Sequence, residues 1–254
     1  MSFDFTTLAF ALVAFIGGIV AVPVGGSFLF VMPLFLLLGL NGLQTLLLSR
    51  IFAFGATGSG SIYFLRNHRE HYGWKQITFF LSGNLIGYVI AAKIATSINT
   101  ETLTAMVPWV LLGGAVFLLR DWKVEQVKCR QLLAKLLPFF GLLIGFYTGL
   151  GGAPSVFVIL LLTLAIGWTM HRAIVNTRLI EVFGNTIGAA AYLYFGAALT
   201  GYELPVLLAG AAGGLIGAKL TFRSKPAWLK KAFLLLVLIT AIKTSWPFIE
   251  KLSH

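Results

Sequence analysis

The chain has 254 residues, of which 58% are hydrophobic and only 11% charged. Soluble domains carry about 25% charged residues, so this chain has too little charge to cover a globular surface and too much apolar content for a disordered one. Nineteen Lys and Arg against eight Asp and Glu give a net charge of +11. In a polytopic membrane protein such an excess belongs to the loops that set topology, not to a nucleic-acid surface.

In chain order, the apolar runs predict an all-α membrane protein of about eight hydrophobic segments, near 8–38, 43–65, 76–98, 103–120, 136–165, 174–196, 203–222 and 228–247. The start, Met1-Ser2-Phe3-Asp4, lacks the basic region of a cleaved signal peptide. The longest polar stretch, 120–135, falls at the middle and holds the single cysteine, Cys129, which excludes an internal disulfide. Trp74, Trp122, Trp168, Trp228 and Trp246 fall near segment ends, as an interfacial aromatic belt would.

The central position of the polar stretch suggests a duplication, with one repeat over 1–125 and a second over 126–254. Gly25-Gly26-Ser27 matches Gly151-Gly152-Ala153 at an offset of 126, and Ser49-Arg50-Ile51 matches Thr177-Arg178-Leu179 at 128. Gly83-Asn84-Leu85-Ile86-Gly87 matches Gly213-Gly214-Leu215-Ile216-Gly217 at 130, as Tyr72 matches Tyr202.

The first segment of each half is longer than one straight crossing needs, and is either one long tilted helix or a hairpin that returns to its starting side. Residues 8–38 would span about 46 Å as a helix, against a hydrocarbon core of about 30 Å. The run contains Gly17-Gly18, Pro23 and Gly25-Gly26, and the second half has Gly149, Gly151-Gly152 and Pro154 in the equivalent place. Each such segment is expected to be a broken helix or a hairpin. The loop charges choose between these. Single crossings divide the basic residues ten against seven, whereas hairpins gather fourteen on one side and leave three on the other, Arg50 and Arg178 being intramembrane. The positive-inside rule therefore predicts two inverted repeats, a cytoplasmic central loop and both termini outside.

Arg50, Arg178 and Glu181 are the ionisable residues set well inside apolar segments. Two guanidiniums at equivalent repeat positions suit an oxyanion between the halves, with Arg50 and Arg178 as binding residues. The alternative is that each snorkels to an interface. Glu181, three residues after Arg178, is either its ion-pair partner or a proton-coupling carboxylate. The glycine breaks would offer backbone amides to an anion at Gly25, Gly26 and Ser27, and again at Gly151, Gly152 and Ser155. Close helix packing explains the same glycines equally well. Thr57 and Asn185, matched at 128, either line the path or bond across helices. His68, His71 and His171 are loop residues without a companion ligand cluster, so no metal and no cofactor are expected. No nucleophile elbow or phosphate-binding loop points to an enzyme.

Together these motifs resemble the sulfite exporter TauE/SafE family of membrane permeases. The resemblance rests on the glycine breaks, the Ser49-Arg50 and Thr177-Arg178 pairs, and the Gly83–Gly87 motif with its copy, and it covers essentially the whole chain. It implies a multi-pass protein of the bacterial inner membrane that moves a small sulfur oxyanion or sulfonate, such as sulfite, outward by alternating access. A proton or sodium ion would be the coupling partner, with membrane lipid around the protein and no nucleic acid. The rival readings are an anion channel of the same architecture and a non-transporting membrane partner in sulfur metabolism. The first break lacks a counterpart of Gly149, so the two halves are not expected to be equal.

Overall fold

The computed structural model describes residues 5–24, 28–68, 71–119, 130–152, 155–221 and 242. Gly25, Gly26 and Ser27, the centre of the 120–135 stretch and, apart from Ile242, the expected eighth segment lie outside the described residues. Ten α-helices and no strands are found among the described residues.

The expected first segment resolves into α1 (Phe5–Val24) and α2 (Phe28–Leu37), separated at the glycine break. These fold back on each other. Phe10, early in α1, lies 5.3 Å from Phe35, late in α2, and Gly17 packs against the side chain of Val31. After α3 (Gly42–Asn67), α4 (Trp74–Ser97) and α5 (Thr100–Leu119), a short α6 (Arg130–Lys135) leads into α7 (Leu137–Gly149). The fifth segment is then also a hairpin. α7 is followed by α8 (Ser155–Leu161), which ends in a π-helical turn over Leu162–Ile166. Tyr147 meets Phe157 at 5.4 Å near the break, and the π-turn returns to pack on α6. α9 (Met170–Tyr194) and α10 (Glu203–Leu220) complete the described bundle.

Local signals explain several boundaries. Asn41 caps α3 through the Gln44 amide at 2.9 Å, and the Gln44 side chain answers the Asn41 amide at 3.3 Å. Thr169 caps α9 by accepting from the Arg172 amide. α7 ends in a Schellman motif. The Gly152 amide donates to the Tyr147 carbonyl at 3.0 Å and the Gly151 amide to the Thr148 carbonyl at 2.9 Å. That geometry requires the left-handed backbone of Gly151, at φ +106°.

The halves grip one another by exchange. The two most extensive pairings are α4 with α7 and α1 with α10, each joining a helix of one half to a hairpin of the other. Membrane helices gain little from apolar burial and rely on close backbone approach through small residues. Here a Cβ added at Gly83 would sit 1.8 Å from the Pro138 carbonyl oxygen, and one at Gly87 2.3 Å from that of Leu142. In the matched motif, a Cβ at Gly213 would sit 2.1 Å from the Phe15 oxygen, and one at Gly217 2.5 Å from that of Ile19. The two glycine motifs therefore do the same work against different hairpins. Between these pairs, α3 and α9 cross at the centre.

The bundle has two chemically distinct ends. At one, Phe10 stacks on Tyr202 at 4.4 Å, and the Gly42 amide donates to Thr104 Oγ1 at 2.7 Å. Glu101 and Glu203 begin helices there. At the other, the His71 carbonyl accepts from Arg172 Nε at 3.1 Å and from Asn176 Nδ2 at 2.9 Å, and the Gly73 amide donates to Asn176 Oδ1 at 2.9 Å. The Arg172 guanidinium lies 4.7 Å from the centre of the Trp168 ring. Among the described residues three helices are long and apolar enough to cross a bilayer: α1, α4 and α10. α3 and α9 are longer still, at 26 and 25 residues, but carry buried polar side chains.

Gly83→Ala and Gly213→Ala should each lower the melting temperature in detergent, because overpacking a close crossing costs about 1–3 kcal/mol. Gly58→Ala, on α3 with nothing within 4 Å of an added Cβ, should leave it unchanged or raise it. Equal melting of Gly83→Ala and the wild type would refute the close-crossing account.

Candidate functional site

The polar residues of α3 and α9 meet beside the start of α2, the end of α7 and the start of α8. Arg50, two turns into α3, has 0% exposure, and Arg178, two turns into α9, has 1%. Neither snorkels to an interface. The residue before each arginine satisfies its own hydroxyl by bonding back along its helix, Ser49 to the Thr45 carbonyl and Thr177 to that of Ala173 at 2.7 Å.

Arg50 donates from Nη1 to Asn185 Oδ1 at 3.2 Å and from Nη2 to the Thr148 carbonyl, on the last turn of α7. Its guanidinium carbon lies 4.6 Å from the ring centre of Phe28, the first residue of α2, and 5.4 Å from that of Tyr88. One arginine of the first half therefore touches both hairpins. All of these partners are neutral, and Arg50 Nε has no partner among the described residues.

Arg178 donates from Nη1 to Glu181 Oε2 at 2.5 Å and to Ser155 Oγ at 3.3 Å. The Ser155 hydroxyl donates to Glu181 Oε1. Ser155, at the start of α8, thus joins the second hairpin to the ion pair on α9. Arg178 Nε and Nη2 have no partner among the described residues. The Asn185 amide nitrogen donates to the Glu181 carbonyl at 2.7 Å while its oxygen serves Arg50. This links both guanidiniums in one network. Among the described residues the cluster holds two cations and one carboxylate.

Of the other residues anticipated for the site, Thr57 is buried but donates to the Ala53 carbonyl of its own helix at 2.6 Å and takes no part in the network. The amides of Gly151 and Gly152, expected to face an anion, are instead donated inside the α7 cap. The helix end needs those donors for its own last carbonyls. Gly25, Gly26 and Ser27 fall outside the described residues; Phe28, which follows them, lies on Arg50.

Sequence reasoning missed Thr148, Phe28, Tyr88 and Tyr192. Tyr88 packs against Gly184 and Gly188 of α9, and the Tyr192 hydroxyl donates to the Gly149 carbonyl. Tyr88 directly follows the Gly83–Gly87 motif, and that adjacency was the one available signal.

The charge count makes a prediction. Glu181→Gln leaves two buried cations and no anion, whereas Arg178→Gln leaves one of each. Removing one partner of a buried pair costs about 3–5 kcal/mol when the survivor is uncompensated. Glu181→Gln should therefore depress the melting temperature in detergent more than Arg178→Gln. The reverse order would show that another group outside the network carries the balancing charge.

The sequence matches the family described as Sulfite exporter TauE/SafE over residues 10–244. It is 30% identical over 244 residues to the probable membrane transporter protein ORF9 of a Sinorhizobium species, covering 92% of this chain and 90% of that one. A probable membrane transporter protein of Haemophilus influenzae is 26% identical over 82% of each chain. The probable membrane transporter protein YfcA of Escherichia coli is 22% identical over 92% of this chain and 86% of its own. No solved structure matches. With the match spanning nearly the whole chain, including both hairpins and both arginines, the protein belongs to the sulfite exporter TauE/SafE family and is a membrane transporter.

Proposed function

We propose that this chain is a secondary transporter, an exporter of small sulfur-containing anions such as sulfite or an organosulfonate, which binds its substrate between Arg50 and Arg178. The observation that carries this reading is Arg50, a fully buried guanidinium held only by neutral groups among the described residues. Two buried cations that share one carboxylate are costly. An oxyanion arriving at its free Nε edge and at the free Nε and Nη2 of Arg178 would supply the missing charge in the geometry guanidiniums favour. The family description supports sulfite-like chemistry and outward movement. Ser155 and Asn185 hold the two arginines in place.

The proposal includes two inverted halves that move against one another. The exchanged pairing of α4 with α7 and of α1 with α10 supports it, as does the matched role of the two glycine motifs. The end that carries Lys75, Lys135 and Arg172 then faces the cytoplasm of a bacterial inner membrane, and both termini lie outside. Glu181 serves as the coupling carboxylate. With substrate at Arg178, the carboxylate no longer has to neutralise it and can take a proton or sodium ion.

The test is flux in liposomes with the reconstituted chain and sulfite, sulfate, thiosulfate and sulfoacetate. Saturable uptake with counterflow is expected for one of them. Arg50→Gln should reduce it about thirtyfold or more, since loss of a desolvated charge contact costs about 2–5 kcal/mol, and Arg50→Lys should lie between, because an ammonium cannot reproduce the fork. Unchanged flux in a folded Arg50→Gln variant would overturn the site. Non-saturating conductance would make the protein a channel.

Glu181→Gln should keep substrate exchange while losing acceleration by an imposed proton or sodium gradient. A variant still driven by either gradient would remove Glu181 from the coupling role.

A further inference from the structure

We propose that the groove between the start of α4 and the α6–α7 junction is a binding site for the headgroup of an anionic phospholipid. The groove has a volume of about 790 Å³ and lies well away from the arginine network. Lys75 reaches it from α4 and Lys135 from α6, and both are exposed. No acidic side chain lines it among the described residues. The hydroxyls of Thr78 and Ser82 are donated to carbonyls of their own helix, those of Trp74 at 3.0 Å and Phe79 at 2.8 Å. The cationic character of the groove therefore comes from the two lysines.

The occupant is a lipid because of where the groove sits and what continues from it. Trp74, half exposed and stacked on Tyr72 at 5.5 Å, stands at the first turn of α4, the level an interfacial tryptophan takes. Below it the walls become apolar, with Phe79 and Leu137. The outward face of α4 then continues as Ile86, Val89 and Ile90, at 53%, 39% and 41% exposure. A phosphate between two ammonium groups, with acyl chains along an exposed apolar stripe, fits this sequence of surfaces. A free anion would use only the lysines. The groove also lies across the α4–α7 seam, where a helix of the first half meets a hairpin of the second. A lipid seated there bridges the two halves at one end of their closest crossing.

Native mass spectrometry and thermal melting of the full chain in detergent, titrated with phosphatidylglycerol, test the proposal. Phosphatidylcholine and inorganic phosphate are the comparisons. A discrete phosphatidylglycerol adduct and a raised melting temperature are expected. Lys75→Gln combined with Lys135→Gln should weaken that binding about thirtyfold, each lysine near an anionic headgroup contributing about fivefold, and Lys75→Arg combined with Lys135→Arg should retain it. Both lysines being exposed, the glutamine variant should melt like the wild type without lipid; if it does not, the arginine variant decides. Undiminished phosphatidylglycerol binding in the glutamine variant, equal binding of phosphatidylcholine, or the same stabilisation by inorganic phosphate would each overturn the proposal.

Discussion

Two guanidiniums buried against one carboxylate are the constraint on which the centre of this protein depends. A charge in a membrane interior must find partners within the protein. The partners here come from several elements: Thr148 from α7, Phe28 from α2, Tyr88 from α4, and Asn185 and Glu181 from α9. The arginines are thus organisers of the fold as well as candidates for chemistry. Moving either hairpin changes the electrostatic environment of Arg50, and changing the charge near Arg50 alters what holds the hairpins. Such mutual dependence is what coupling between ligand and conformation requires.

The hairpins make this possible at low cost in backbone polarity. Non-helical backbone is tolerated at membrane depth only where protein surrounds it. The second break meets that condition through its Schellman cap, which returns the Gly151 and Gly152 amides to α7. What the tip offers its surroundings is therefore carbonyl oxygen, at Thr148 to Arg50 and at Gly149 to Tyr192, together with the Ser155 hydroxyl. An acceptor-rich tip explains why a cation rests on it in this conformation.

Much of this architecture was legible in the sequence, for physical reasons. A 31-residue uncharged run exceeds one straight crossing, so the breaks were expected from length and glycine placement, and loop charge favoured the turn-back over one long tilted helix. Arg50, Arg178 and Glu181 stood out because charge is rare in apolar segments, and the Arg178–Glu181 pairing follows from helix spacing. The use made of the Gly151 and Gly152 amides was not legible, because a glycine pair in a break reads alike as a free cradle or a closed cap. Thr57 looked equivalent to Asn185 by offset, yet a threonine in a helix satisfies itself on the preceding turn, whereas an asparagine reaches across. Tyr192 was invisible, and Tyr88 was marked only by its place after the glycine motif, since an aromatic residue among glycines and alanines looks like packing until its neighbours are known.

The exchange of partners between halves bears on how the protein is made. Among the described residues the glycine face of α4 at Gly83 and Gly87 closes on α7, and that of α1 at Gly18 closes on α10. While the first half is being threaded into the bilayer, both faces meet lipid instead of protein. Insertion of helices and their final association are therefore separated in time, because Gly210, which Gly18 meets, is made 192 residues later.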